Sequence, residues 1–275
     1  MAAAPFGRLL IVGAGLLGTS VALAVRRRWP EVHLTAVDVA PGAHAPFDRH
    51  VAADDVVPDA DLTVLACPVD AFAAWMPRLA ARQADAPLTD VGSVKRLPRA
   101  LAAAAGLTEY VGGHPMAGGT TPGPGHAAAS LFDGRSWAVT PNGASPRTVG
   151  LVTALAEGCG ARVVVTDADA HDAAVAATSH LPQIVASALM LVVADAADDD
   201  ALALSGAGLR DTTRLAESRS AMWSPILAAN ADRIAPLLRG LAARLEAASA
   251  RLADPEATAR LVEDGRRARR RLPPV

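Results

Sequence analysis

R-L-L-I-V-G-A-G-L-L-G, residues 8–18, decides the fold of this chain. After Arg8 come four apolar, partly β-branched residues, the pattern of a buried strand. They run without a break into Gly13, Gly15 and Gly18, after which residues 19–28 read as a helix with alanine and leucine on its buried side. In a strand–loop–helix unit those glycines have separate jobs: a tight turn, close approach of backbone to a pyrophosphate, and close packing of the helix on the sheet. Free N–H groups and the dipole at the helix start favour phosphate there. Gly13, Gly15, Leu16, Leu17 and Gly18 are therefore the expected cofactor-binding residues of this loop.

The surrounding sequence completes the unit. Residues 32–37 alternate as a second strand, and Asp38 follows at its end, about 20 residues after the third glycine. A carboxylate at that place accepts both ribose hydroxyls and repels a 2'-phosphate, which favours NAD over NADP. Arg49, downstream, is the residue that could serve a 2'-phosphate instead. Residues 61–66 predict a strand that ends in Cys67 and Pro68, at the carboxyl edge where such sheets bind ligands. Both are expected beside the cofactor. Cys67 has no basic neighbour in sequence and reads as a packing residue, not a nucleophile.

After a predicted helix over residues 71–82, a strand over 88–91 delivers Gly92, Ser93, Val94 and Lys95 to the same edge. Ser93 can cap the next helix or offer its hydroxyl to a ligand or to a base. Lys95 is the single lysine beside 25 arginines, which suggests ammonium chemistry toward a substrate. A short strand over 109–112 leads into V-G-G-H-P-M-A-G-G, residues 111–119. Glycines and a proline around His114 imply tightly bent backbone and a ring with a defined aim, as a general base needs. The glycine- and proline-rich residues 118–125 read as a cover or substrate-facing turn. Strands over 136–140 and 162–165, with a helix over 149–158, close the first half.

Composition narrows the class. The chain has 275 residues, 51% hydrophobic and 20% charged, the profile of a globular protein with room for two domains. A net charge of −2 and a pI near 6.4 argue against nucleic acid as the main partner. The basic residues 266–271 fit a solvated helix end. Two cysteines, Cys67 and Cys159, make neither a disulfide framework nor a zinc site, so no metal is expected and a cytoplasmic setting is. Glycines interrupt the apolar run after Arg8, so no secretory leader is expected there. No run is read as a membrane span.

From His171 onward strand signals give way to alanine–leucine patterns, so the expected fold is α/β plus all-α. A Rossmann-type dinucleotide-binding domain over residues 1–168 precedes a helical substrate and dimerisation domain over 169–275. The longest pattern, 173–197, is apolar most of the way round and contains T-S-H-L-P-Q, residues 178–183. Pro182 there should kink the helix and turn polar side chains toward a cleft. Residues 198–200 read as an acidic loop. In S-G-A-G-L-R-D-T-T-R, residues 205–214, Arg210 and Arg214 around a helix start form a natural anion site, or pair with Asp211 and Glu217 on the surface. Residues 235–252 and 256–270 read as amphipathic helices. So much alanine and leucine on long helices implies a homodimer.

In this order G-A-G-L-L-G-T-S at 13–20, D-V-G-S-V-K at 90–95, G-H-P-M-A-G at 113–118, S-H-L-P at 179–182 and R-D-T-T-R-L-A at 210–216 resemble the prephenate dehydrogenase family, with Met222, Trp223 and Asn230 fitting its tail. The resemblance covers nearly the whole chain. It implies NAD-dependent oxidative decarboxylation of a cyclohexadienol to a phenol, a step in tyrosine formation. It also implies that His114 is the base, that Ser93 hydrogen-bonds the reacting hydroxyl or the base, and that Arg214 holds a substrate carboxylate. His180 matches a pocket position, though a structural role in the kinked helix fits it equally. Many prephenate-using relatives carry a second histidine where this chain has Gln183, so arogenate or a ring-amino analogue of prephenate stays open as substrate. Two other classes share parts of the pattern: a Rossmann-plus-helical reductase of hydroxy acids or imines, and a nucleotide sensor without chemistry.

Overall fold

The computed structural model describes residues 3–39, 46–119 and 123–272. Residues 120–122 of the expected cover loop lie outside the described residues. Eight strands form one sheet in the order β3-β2-β1-β4-β5-β6-β7-β8. They are β1 (Arg8–Val12), β2 (His33–Asp38), β3 (Arg49–Ala52), β4 (Leu62–Leu65), β5 (Leu88–Asp90), β6 (Tyr110–Pro115), β7 (Ser136–Thr140) and β8 (Arg162–Val165). The first six are parallel in the 3-2-1-4-5-6 arrangement, so the chain reverses direction of travel between β1 and β4. That switch point opens a crevice at the carboxyl ends of these two strands, and residues 13–18 sit in it. β7 then runs antiparallel to β6 and parallel to β8.

Strand period two builds both faces of the sheet. On β1, Leu9 and Ile11 join one core cluster with Val21, Val25 and Trp29 of the first helical segment and Leu155 farther on. Leu10 and Val12 join the other with Phe72, Met76 and Leu79. Helices α1 (Leu16–Arg28) and α4 (Pro146–Gly158) thus cover one side, α2 (Phe72–Gln83) and α3 (Arg96–Ala104) the other. Each fully buried aliphatic side chain contributes about 1.5–3 kcal/mol over its exposed state.

Beyond β8 the chain is helical: α5 (Ala168–Val175), α6 (Leu181–Ala196), α7 (Asp199–Ala203), α8 (Ala207–Thr213), α9 (Ser220–Ala229), α10 (Ala231–Ala250) and α11 (Pro255–Arg269). Residues 1–230 form one compact unit and 231–275 a second. Between α5 and α6 the helix widens into a π-turn, Ala176–His180. Pro182 accounts for it: it has no N–H to donate and its ring crowds the carbonyl four residues back, and the helix takes one wider turn before it. The run Ala168–Ala196 is long and apolar enough to cross a membrane by length and composition, contrary to the sequence expectation. Its polar residues His171, Asp172, His180 and Gln183 are all buried, while Leu191 and Val192 are exposed.

Three local expectations are corrected. Residues 198–200 are not a loop, because the Asp198 carboxylate accepts from Ala201 N–H at 2.9 Å and starts α7. Asp211, Thr212 and Thr213 end α8 instead of starting a helix. Finally, β6 runs on to Pro115 because its second half pairs with β7, His114 opposite Ala138, so His114 stands on extended strand and not on bent backbone.

Candidate active site

The loop after β1 has the shape the glycine pattern requires. Gly13 has φ +102°, and a Cβ there would lie 2.7 Å from the carbonyl carbon of Ala66 and from Cys67 N, the backbone that follows β4. A Cβ on Gly18 would overlap the Gly13 carbonyl and lie 3.0 Å from Ile11, so only glycine lets α1 pack this closely on β1. Gly15, by contrast, faces open space. It is the residue before α1, whose first turn carries no acidic side chain to compete with a bound anion. Leu17 packs against the core. Asp38, at the end of β2, accepts from Ala14 N–H at 2.6 Å, which fixes its carboxylate beside the loop. Arg49 lies level with Thr35, three residues short of Asp38 along the parallel pair, about 10 Å away from the ligand edge. Cys67 is half-buried, and burial pushes its thiol up to about 12, so it is a packing residue at neutral pH. These residues fit a dinucleotide with an unphosphorylated ribose.

His114 projects from the next part of the edge and is half-buried. Beneath it lies a closed ionic cluster. Asp90, at the end of β5 and fully buried, accepts from Tyr110 Oη at 2.7 Å, from Gly92 N–H at 2.6 Å and from the Lys95 ammonium. Lys95 Nζ also donates to the Gly113 carbonyl at 2.6 Å, one residue before His114. The expectation that Lys95 meets substrate is thereby corrected: its side chain is fully buried and its ammonium bonds to Asp90 and to the Gly113 carbonyl. Tight space explains the flanking glycines. A Cβ on Gly112 would come within 2.9 Å of Lys95 Cδ, and one on Gly113 would lie 3.0 Å from Trp137 Nε1.

The His114 ring is held from the helical side. Its Nδ1 lies 2.9 Å from Nε2 of His171 on α5, and His171 Nδ1 lies 2.8 Å from Asp172 Oδ1. Asp172 also accepts the first N–H groups of α3, Lys95 at 2.7 Å and Arg96 at 2.9 Å. That leaves Ser93, half-buried, with no capping role; its hydroxyl makes no hydrogen bond among the described residues. Burial holds the His114 pKa well below the ordinary histidine range, and the neighbouring His171, the Lys95 ammonium and His180 push the same way. His114 is therefore neutral at physiological pH, as a proton acceptor must be. Burial opposes the charge of Asp172, but its bonds from His171 and the two backbone N–H groups prevail and hold its pKa below the usual carboxylate value.

Asn230, at the end of α9, links this cluster to the π-turn. Its amide N donates to the Asp172 carbonyl at 2.8 Å and lies 3.2 Å from His180 Nδ1. His180 is buried edge-on to Trp223, with ring centroids 5.9 Å apart, and burial lowers its pKa to about 4. Gln183 donates through Nε2 to the Leu215 carbonyl at 2.9 Å, while its Oε1 is buried with no partner among the described residues. Arg210 and Arg214 are both exposed and neither forms an ion pair with Asp211 or Glu217. Arg214 opens a short 3-10 turn whose next residue, Leu215, is the one Gln183 holds. The structure thus joins His114, Lys95 and, through Asn230, His180 into one connected network, and separately ties Gln183 to the carbonyl of Leu215, the residue after Arg214. Sequence reasoning missed Asp90, His171 and Asp172. The bonds of His171 and Asp172 to β6 and α3 span 57 and 77 residues, and no local spacing signals them.

Residues 21–165 match the family described as prephenate dehydrogenase, nucleotide-binding domain, and residues 167–264 that described as prephenate dehydrogenase, dimerization domain. The chain is 36% identical over 249 residues to the probable prephenate dehydrogenase NovF of Streptomyces niveus, covering 86% of this chain and 67% of that protein. It is 30% identical over 257 residues to the cyclohexadienyl dehydrogenase of Zymomonas mobilis, covering 85% and 84%. The crystal structure of prephenate dehydrogenase from Aquifex aeolicus in complex with hydroxyphenyl propionate and NAD+ matches with a TM-score of 0.85 at 26% identity, over 98% and 97% of the two chains.

Proposed function

Since the chain belongs to the prephenate dehydrogenase family and is an NAD-dependent dehydrogenase, we propose that it converts prephenate to 4-hydroxyphenylpyruvate by oxidative decarboxylation, with His114 as the base. Bound NAD would supply the hydride acceptor for the ring carbon that bears the hydroxyl. Gly13, Gly15, the backbone of Leu16 and Leu17, and Gly18 would hold its phosphates and Asp38 its ribose, with Cys67 and Pro68 expected beside it. His114 Nε2 takes the proton of the ring hydroxyl, and Ser93, with its hydroxyl free, orients that hydroxyl. Arg214, with Arg210 beside it, grips a substrate carboxylate by charge-assisted hydrogen bonds. As the carbon–oxygen bond takes on double-bond character, the ring carboxylate leaves as carbon dioxide, the ring becomes aromatic, and the phenolate oxygen so formed takes a proton back to give the phenol. The observation that carries this reading is a histidine at the sheet's carboxyl edge that is held neutral and fixed in orientation by a named partner on its other nitrogen.

Gln183 favours a second reading. A buried acceptor without a donor costs about 1–3 kcal/mol, and an amino group on the substrate would supply the donor. Arogenate or an amino-substituted prephenate is therefore the alternative substrate. Measuring NADH formation with prephenate and arogenate side by side tests both: preference for arogenate would favour the second, and turnover of neither would sink both.

Residues 1–168 are assigned as the NAD domain and 169–275 as the substrate and dimerisation domain. The exposed Leu191 and Val192 on α6 support a homodimer. A reducing cytoplasm suits two free cysteines and an NAD-dependent biosynthetic reaction. Small molecules, not nucleic acid or membrane, are the partners of such a site.

A further inference from the structure

We propose that the proton accepted by His114 is passed on to His171, and that Asp172 fixes the tautomer of His171 and balances the charge that arrives there. The proposal rests on the reading of His114 as the base. Hydrogen-bond chemistry sets the order of protons along the chain. Asp172 accepts the N–H groups of Lys95 and Arg96, so its oxygens act as acceptors, and His171 Nδ1 must be the donor across their 2.8 Å separation. The bare Nε2 of His171 then accepts from His114 Nδ1–H at 2.9 Å. This leaves His114 Nε2 with its lone pair, free to face a substrate hydroxyl.

The transfer balances without any co-reactant. The substrate O–H bond breaks as a proton joins His114 Nε2; the His114 Nδ1–H bond breaks as its proton joins His171 Nε2. The positive charge ends on His171, against the Asp172 carboxylate. Neighbouring charges favour that destination. Around His114 stand His171 from α5, the Lys95 ammonium from the loop before α3, and His180 from the π-turn, none of which welcomes a cation. Asp90, the nearest carboxylate below, is already paired with Lys95. Asp172 has no lysine or arginine side chain on it among the described residues and touches His171 directly. His171 and Asp172 are buried and act through His114, so they are positioning residues.

His171→Gln tests this, because a glutamine amide can accept from His114 Nδ1–H but cannot take up a proton. The expected result is a kcat lower by about 10- to 100-fold, with the KM for substrate and NAD within about threefold. The acid limb of the kcat profile should change position, since the proton can no longer be shared with His171 and the Asp172 carboxylate behind it. In a His114→Asn background the same change should cost nothing further, because residues acting as one unit are not additive. Ring nitrogen-15 shifts of the unliganded native protein read the chain without turnover: Nδ1 protonated and Nε2 bare on both His114 and His171. A native His171 protonated on Nε2 would overturn the proposal, as would a His171→Gln enzyme with native kcat and native pH profile. Should the native protein turn over neither substrate, the functional reading fails, while the nitrogen shifts still decide the proton order.

Discussion

Lys95 is the residue whose role changes most between sequence and structure. In a chain that otherwise uses arginine, the one ammonium lies fully buried against one fully buried carboxylate, Asp90. Removing one partner of such a pair leaves an uncompensated charge, so Lys95→Met should lose about 3–5 kcal/mol of stability, measurable by denaturant unfolding. Its loss should also loosen the strand segment that carries His114. His114 itself sets the pH dependence. It must be neutral to act, and its pKa lies well below the ordinary 6.5, so kcat/KM should stay flat through that range and fall about tenfold per unit only at lower pH. A rate already falling at pH 7 would contradict the assigned base. His180 adds a stability effect of the same sign. With its folded pKa lowered to about 4, the unfolded chain binds the extra proton first, so stability is complete above pH 6.5 and declines by about 1.4 kcal/mol per unit as pH falls toward 4.

At the scale of elements, the glycine loop shows how far local chemistry reaches. Gly13 combines a left-handed φ with backbone 2.7 Å from its missing Cβ, so Gly13→Ala should cost about 1–3 kcal/mol for the strained backbone alone. A clash with the Ala66–Cys67 peptide adds to that, and NAD affinity should fall with it; calorimetry of melting and of NAD binding reads both. Strands β1, β2, β4, β5, β7 and β8 were legible because short apolar, partly β-branched stretches leave a strong local signature. β3 was not, since R-H-V-A carries no alternation and is held by its register with β2. The second half of β6 was hidden for a related reason: glycine and proline read as a turn, and only pairing with β7 extends them. The π-turn follows from Pro182 in a sequence otherwise suited to helix, and its form depends on the helices on either side.

On the scale of the whole molecule, the sequence made the family resemblance and the first half of the site legible, because the cofactor loop, Asp38 and His114 are each announced by their neighbours in the chain. The support for His114 was not legible. It comes from α5 and α3, which meet only when the helical part of the first compact unit folds against the sheet. The exposed apolar residues of α6 carry a prediction at this scale as well. A homodimer by light scattering is expected, and Leu191→Asp with Val192→Asp should shift it toward monomer; a native protein that is monomeric at all concentrations would refute the assignment. The most direct measurement concerns the base. NADH formation with prephenate and with arogenate should be compared for the native protein and His114→Asn, together with NAD affinity. The expected result is turnover of one of the two substrates by the native protein and a loss of at least about 100-fold in the variant, with NAD binding unchanged; full activity in His114→Asn, or no turnover of either substrate by the native protein, would contradict it.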